Sequence, residues 1–276
     1  GDEPVQRVAA QRPVGAGQRP GRHRDAEGCP QPVQLGGVPV PGCYLVKDGS
    51  VLLDSRVGQL IAQGKLLVSD AASQAVAARV VAASGRPGSF LEVGAGRGTK
   101  TILLQSGFVR QGGAQAPDYV TVDNHQFKTK LLAQRARDYG VRMAEALTGD
   151  ATQLGALVGD AAFDAVFVDA PCTGLGTLRR HADIRWRLQQ PTIAESAALD
   201  GRLLDSAAAH VAPGGLLAYA TCTVTPEENE RAVEAFLASE AGAPFALEAQ
   251  GEAMFFAPPL VPGGCDAHFL ALMRRR

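Results

Sequence analysis

Short apolar runs alternate with longer amphipathic stretches along most of this chain, and the alternation sets in at Tyr44. Tyr44–Val46 and Val51–Leu53 predict short strands around the turn Lys47–Ser50. Leu66–Val68 leads to Ser69 or Asp70, a helix N-cap, and the helix carries Ala75, Val76, Ala78, Arg79 and Val80 to a stop at Gly85–Gly88. Phe90–Val93 is a strand, followed by a glycine-rich turn from Gly94 to Gly98 and a helix near Lys100–Gln111. Tyr119–Val122 is a strand ending at Asp123, and a helix from about Gln126 to Tyr139 closes at Gly140. Met143–Thr148 ends near Asp150, and Phe163–Val168 ends at Asp169. Thr192–Val211 is a helix rich in Ala and Leu, stopped by Pro213-Gly214-Gly215. Leu216–Ala220 is a strand, and Pro226–Ser239 is a helix whose first turn holds Glu227, Glu228 and Glu230, favoured by the helix dipole. Phe245–Ala249 and His268–Met273 predict a final antiparallel pair.

This order predicts an α/β fold, a mostly parallel, doubly wound sheet with helices on both faces. Gly1–Gly37 stands apart, rich in Arg, Gly, Pro and Gln without a sustained period. Residues 1–41 therefore read as an irregular N-terminal segment or the remnant of an accessory domain, and 42–276 as the main domain.

Composition narrows the function. The 276 residues are 46% hydrophobic and 20% charged, the balance of a soluble globular protein with length enough for a buried core. No apolar run approaches a membrane span and the first residues lack the apolar centre of a signal peptide, so no membrane partner is expected. Cys29, Cys43, Cys172, Cys222 and Cys265 are odd in number and show no CxxC spacing. That argues against a disulfide framework and a zinc site, and for a reducing, cytoplasmic setting without a metal. The net charge of −1 gives no global nucleic-acid footprint, so any basic surface has to be local.

The chemistry begins at Gly94-Ala95-Gly96-Arg97-Gly98. Glycines let a backbone approach a ligand, and the helix that follows offers free N–H groups. A phosphate loop would close on Gly-Lys-Ser/Thr, but Thr99 precedes Lys100-Thr101. A dinucleotide fingerprint matches at Gly94 and Gly96 and fails at Thr99. An S-adenosylmethionine site needs the turn and an acid ending the next strand for the ribose hydroxyls, which Asp123 supplies. Asp150 and Asp169 close the strands after it, although a single strand-end Asp such as Asp150 serves equally as a helix cap.

Asp169-Ala170-Pro171-Cys172 and Ala220-Thr221-Cys222-Thr223 each end a buried-strand pattern, at the rim where open α/β sheets bind ligands. Two thiols there point to covalent chemistry on an electrophilic ring. A thiolate adds to carbon 6 of a pyrimidine, carbon 5 becomes nucleophilic enough to take a methyl group, and a base removes the carbon 5 proton so that the thiol can leave. Asp169 is placed to protonate or hydrogen-bond ring nitrogen 3. Cys29, Cys43 and Cys265 read instead as small buried hydrophobes. Arg179, Arg180, Arg185 and Arg187 cluster after Cys172, with His181 and Trp186 between them. Arginines pair with phosphates and an aromatic ring stacks on an unstacked base, whereas composition alone favours a solvated loop with its Trp in the core.

These stretches resemble the RNA cytosine-C5 methyltransferases of the Fmu/Sun type. The matching segments are Val68–Gln74, Asp169–Gly176, Arg179–Trp186, Tyr219–Glu230 and Ala267–Ala271, and the likeness extends over about Gly42 to Arg276. The Arg-Arg-His-x-Asp-Ile-Arg-Trp stretch is most similar to the branch acting on bacterial small-subunit ribosomal RNA. The resemblance implies a seven-stranded, Rossmann-like fold of S-adenosylmethionine-dependent methyltransferases. It implies Cys222 as nucleophile, Cys172 assisting release, and cofactor contacts at Gly94, Ala95, Gly96, Arg97, Gly98, Thr99, Lys100, Asp123, Asp150 and Asp169. The family's turn usually reads Cys-Ala-Ala-Pro-Gly-Gly-Lys; here Lys100 is kept and the proline is absent. The expected partner is RNA, with a single-stranded or flipped cytosine held near Arg179, Arg180, His181, Arg185 and Trp186. Two alternatives stay open: a DNA cytosine methyltransferase with Cys172 as nucleophile, and a non-catalytic RNA-binding assembly factor of the same fold.

Overall fold

A computed structural model describes residues 8–11, 31–35, 38–46, 49–248, 254–256 and 265–276. The strands β1 (Val8–Gln11), β2 (Gln31–Leu35), β3 (Val38–Val46) and β4 (Leu67–Ser69) form a small antiparallel sheet in the order β2-β3-β1-β4. Helices α1 (Ser55–Ala62) and α2 (Ala71–Ser84) follow β3 and β4. The main unit then alternates β5 (Ser89–Val93), α3 (Thr99–Gly112), β6 (Asp118–Asp123), α4 (Gln126–Asp138), β7 (Glu145–Thr148), α5 (Leu154–Val158) and β8 (Phe163–Asp169). It continues through α6 (Ile184–Arg187), α7 (Gln190–Ala208), β9 (Val211–Thr221), α8 (Glu230–Leu237), β10 (Phe245–Leu247), β11 (Met254–Phe256) and β12 (His268–Arg275).

Seven strands run in the order β10-β12-β9-β8-β5-β6-β7, and β11 adds a short pairing to β12. The five from β9 to β7 are parallel; β12 pairs antiparallel to β9 and β10 antiparallel to β12, so β12 alone of the seven runs against the rest. The expected doubly wound sheet is therefore present. Its central strands are apolar on both sides because both faces are covered. Leu91, Val166, Val168 and Tyr219 pack with Leu204, Val233 and Phe236 on one face. Phe90, Phe167 and Ala218 pack with Val76, Ile102 and Phe108 on the other.

Several elements depart from the sequence expectation. Residues 49–53 form a 3-10 turn, not a strand, because Asp54 then caps α1 by accepting the N–H groups of Arg56 and Val57. Lys47, Asp48 and Cys29 lie outside the described residues. Strands β1 and β2 arise in the N-terminal region that has no visible period; β1 pairs with the distant β3 and β4, and β2 with the adjacent β3. The helix expected to reach Val211 ends at Ala208, and β9 already starts at Val211. Its entry is irregular, with a register shift between Phe163 and Ala165 and Gly214 at φ +75°, which hides the strand start behind a turn signal.

Glu92 of β5 is fully buried. Burial pushes its carboxyl up to about 7, against the lowering pull of hydrogen bonds from Thr101 and Tyr119. Unfolded, the group ionises near the ordinary carboxylate value; folded, it keeps its proton until about 7. Stability is therefore lost as pH rises through that window. Glu92→Gln is expected to raise the midpoint of thermal unfolding at pH 8, by on the order of 2 kcal/mol in stability, with a much smaller change at pH 4.5. Equal midpoints for the two proteins at pH 8 would contradict this.

Candidate active site

A cavity of about 670 Å3 opens along the carboxyl ends of the parallel strands. That is within the ordinary range for small-molecule sites. Gly94, Gly96, Thr99, Asp123 and Asp150 line it, as do Cys172, Arg180, His181, Cys222 and His268, with Lys100 and Asp169 also in its wall. Strand order explains the grouping. The glycine turn, Asp123 and Asp150 follow β5, β6 and β7, while Cys222 and His268 belong to the ends of β9 and β12.

At the first end, the N–H groups of Gly94 and Ala95 donate to Val122 O at 2.9 and 3.2 Å, which binds the turn to β6. Gly94 sits at φ +77°, and a Cβ there would lie 2.2 Å from Asp169 O, so only glycine fits. Asp123 accepts the Gly96 N–H (3.0 Å) on one oxygen and the His125 N–H (2.9 Å) on the other. Oδ1 also faces Lys128 Nζ at 3.8 Å, whereas the oxygen that accepts from Gly96 keeps a second lone-pair direction toward the cavity wall. A Cβ on Gly96 would meet nothing closer than Gly94 O at 3.8 Å, leaving its backbone open to close approach. Asp150 caps the short turn after β7, accepting from Thr152 N and Oγ1 at 2.9 and 2.8 Å, and lines the cavity as well. Ala95, Arg97 and Gly98 are not in the cavity wall. Gly98 begins α3 against Leu132, and the Arg97 carbonyl accepts from Arg135.

Lys100 places its Nζ 2.8 Å from both carboxylate oxygens of Asp169. Burial opposes the lysine's charge, but Asp169 and Cys222 more than offset it, so its pKa is raised and it stays protonated across the physiological range. Beyond this pair the two thiols meet, with Sγ–Sγ at 3.4 Å and the Cys222 N–H donating to Cys172 Sγ at 3.3 Å. The pair is asymmetric. The Cys172 thiol hydrogen-bonds to Cys222, and Lys100 adds its charge, so the Cys222 pKa is lowered despite burial. Cys172 moves the other way, raised by its contact with Cys222 and by burial.

The arginine-rich stretch splits. Arg179 pairs with Asp70 at 3.0 Å, and Arg180 is bound to the fully buried Asp266 through Nε at 2.8 Å. These two tie the loop after Cys172 to α2 and to the approach of β12. His181 lies at the cavity edge. Arg185 and Trp186 face outward on α6, and Trp186 is 86% exposed, so it is not a core residue.

A family profile described as 16S rRNA methyltransferase RsmB/F matches residues 85–250, a stretch that includes the glycine turn and both cysteines. The chain belongs to the RsmB/F family. Ribosomal RNA small subunit methyltransferase B of Erwinia tasmaniensis is 35% identical over 189 residues, 68% of this chain and 42% of that protein. The same-named protein of Klebsiella pneumoniae is 33% identical over 177 residues, 64% of this chain and 39% of its own length. The chain thus spans less than half the length of these curated relatives. The crystal structure of PH0851 superposes with a TM-score of 0.69 at 27% identity, covering 89% of this chain and 54% of that one.

The RsmB/F site also contains residues that sequence reasoning missed. Glu228, expected in the first turn of a helix, is fully buried before α8 begins. It accepts the Thr173 N–H and the Thr173 hydroxyl at 2.7 Å each, and the Thr225 hydroxyl as well. Next to it, Asn229 accepts from Thr221 Oγ1 (2.6 Å) and donates to Thr223 O (3.3 Å). Two adjacent side chains thus fasten the residues flanking both cysteines. The signal available was the placement of acids straight after a cysteine turn rich in threonine, which reads as a buried acceptor as readily as a helix start. Glu228→Ala is expected to cost about 2 kcal/mol of stability, since it strands three donors. It should also slow reaction of Cys222 with a maleimide. An unchanged denaturation midpoint would contradict that role.

Gly176 completes the frame. Its N–H donates to Cys222 O and its carbonyl accepts from Ala267 N, both at 2.9 Å. A Cβ there would lie 2.2 Å from Ala267 O, so the three segments touch main chain to main chain. Among the described residues, no group of His, Cys, Asp and Glu has a metal-binding arrangement, and no helix is long and apolar enough to cross a membrane.

Proposed function

We propose that this chain transfers a methyl group from S-adenosylmethionine to carbon 5 of a cytosine in RNA, with ribosomal RNA as the substrate class and residues 42–276 as the catalytic unit. The observation that carries the reading is the Cys172–Cys222 pair, 3.4 Å apart in the wall of the cavity that also holds Gly94, Gly96 and Asp123. Membership of the RsmB/F family and the rRNA methyltransferase names of its relatives support methyl transfer to ribosomal RNA.

The residues present fit the cofactor. Asp123 has a lone pair free for a ribose hydroxyl, the bare backbone of Gly96 allows close contact, and Gly94, Thr99 and Asp150 complete that end. When bound, S-adenosylmethionine supplies an electrophilic methyl group. The Cys222 thiolate gives its electron pair to carbon 6, and the carbon 5–carbon 6 π pair shifts to carbon 5, which takes the methyl group. As charge builds, ring nitrogen 3 takes a proton that reaches it through Asp169 from its partner Lys100, because the ion-paired carboxylate has none of its own to donate. Release needs loss of the carbon 5 proton, whose bonding pair re-forms the double bond and expels the Cys222 thiolate. Cys172 is the group assigned to that step. Its proton is held tightly while Cys222 is anionic; once Cys222 is bonded to carbon, Cys172 gives that proton up to solvent at the open cavity and, as a thiolate, takes the carbon 5 proton.

Arg185 and Trp186 are placed to meet an RNA phosphate and an unstacked base, while Arg180 and His181 line the cavity beside Arg179. The Lys100 charge that acts on Cys222 supports Cys222 as nucleophile over the DNA-type assignment. The test is to incubate the protein with small-subunit ribosomal RNA and labelled S-adenosylmethionine, then analyse nucleosides by mass spectrometry. Label in 5-methylcytidine is the expected result; label in another nucleoside, or in none, overturns the reading.

A further inference from the structure

His268 lines the cavity, and neither the glycine turn nor the cysteine chemistry uses it. It opens β12, one step beyond the Phe269–Thr221 pair, which sets it level with Cys222 on the neighbouring strand. Opposed residues of an antiparallel pair project to the same face, so the imidazole and the Cys222 thiol share the cavity. The residue is 4% exposed, and its buried Nδ1 has no hydrogen-bond partner. Buried polar groups are almost always paired, and an unpaired ring nitrogen on a residue that lines the cavity is suited to a partner brought by a ligand. Leu270 and Leu272, on the same face of β12, pack into the core, so a polar residue at 268 is not needed to close the fold.

We propose that the His268 imidazole is a hydrogen-bonding contact for the nucleobase seated beside Cys222, reading a polar edge of a pyrimidine ring. Burial and the nearby charges of Lys100 and Arg180 hold the ring neutral. A neutral imidazole offers one donor and one acceptor, which matches the mixed donor and acceptor edge of cytosine better than the acceptor-only phosphate groups do. It therefore serves in recognition of the base, while the arginines serve the backbone. This inference rests on the cytosine methyltransferase reading.

Two measurements separate them. In the full chain labelled with nitrogen-15 histidine, cytidine 5′-monophosphate is titrated with S-adenosylhomocysteine present. The expected result is a shift of the His268 ring nitrogens, assigned by their absence in His268→Phe. In methylation of ribosomal RNA, His268→Phe should lower kcat/KM about five-fold, mostly through KM, with His268→Asn recovering part of the loss. S-adenosylhomocysteine affinity should be unchanged. If the wild type methylates cytosine but the ring signals stay still and His268→Phe matches it, the His268 assignment is overturned alone. If no RNA is methylated yet the signals move, the reaction reading falls and the base contact stands. If neither occurs, both fall.

Discussion

Cys222→Ala is expected to reduce methyl transfer at least about a thousand-fold while leaving the fold intact, because its thiol is the group proposed to add to the ring. Cys172→Ala should behave differently. With the releasing group gone, the Cys222 adduct persists, and a protein–RNA band resistant to denaturant accumulates when RNA and S-adenosylmethionine are both supplied. Denaturing gel electrophoresis with end-labelled RNA distinguishes the two. A stable band from Cys222→Ala, or undiminished 5-methylcytidine in that variant, would invert the assignment. The prediction rests on the asymmetry of the pair: one sulfur is stabilised as an anion by its neighbour and by Lys100, and the other is held as a thiol.

The second large effect is expected at Lys100. Its side chain is 11% exposed and that of Asp169 23%, so the ion pair is largely shielded from water. Lys100→Met leaves Asp169 without its partner and is expected to cost about 3 kcal/mol of stability. It also removes a positive charge acting on Cys222. The Cys222 thiol should then titrate at higher pH, followed by thiolate absorbance at 240 nm. Adding Asp169→Asn should return part of the stability, because the stranded charge goes with it. A thiol titration identical to the wild type would remove Lys100 from the activation of Cys222.

The glycine turn, the strand-end acids and the two cysteine turns were legible because each is a local pattern: an apolar run, then a residue type that the rim of a sheet needs. Helix ends at Asp70, Gly85 and Gly140 were legible for the same reason. What escaped depends on partners distant in sequence. Glu228 reads as a helix-dipole acid until Thr173, 55 residues earlier, is brought to it. Arg179 and Arg180 read as a free basic patch until Asp70 and Asp266 claim them. His268 reads as one more strand residue until the register of β12 sets it beside Cys222. Strands β1 and β2 lie in a stretch without periodicity and exist through their pairing with β3 and β4.

The main-chain clasp at Gly176 has a consequence for redesign. Because peptide groups hold the loop after Cys172, the turn at Cys222 and the start of β12 together, the spacing of the reacting sulfurs does not depend on which side chain stands at 268. A library randomised at that position alone therefore tests the proposed base contact without moving the two sulfurs, whereas a single methyl group added at 176 would force the three segments apart.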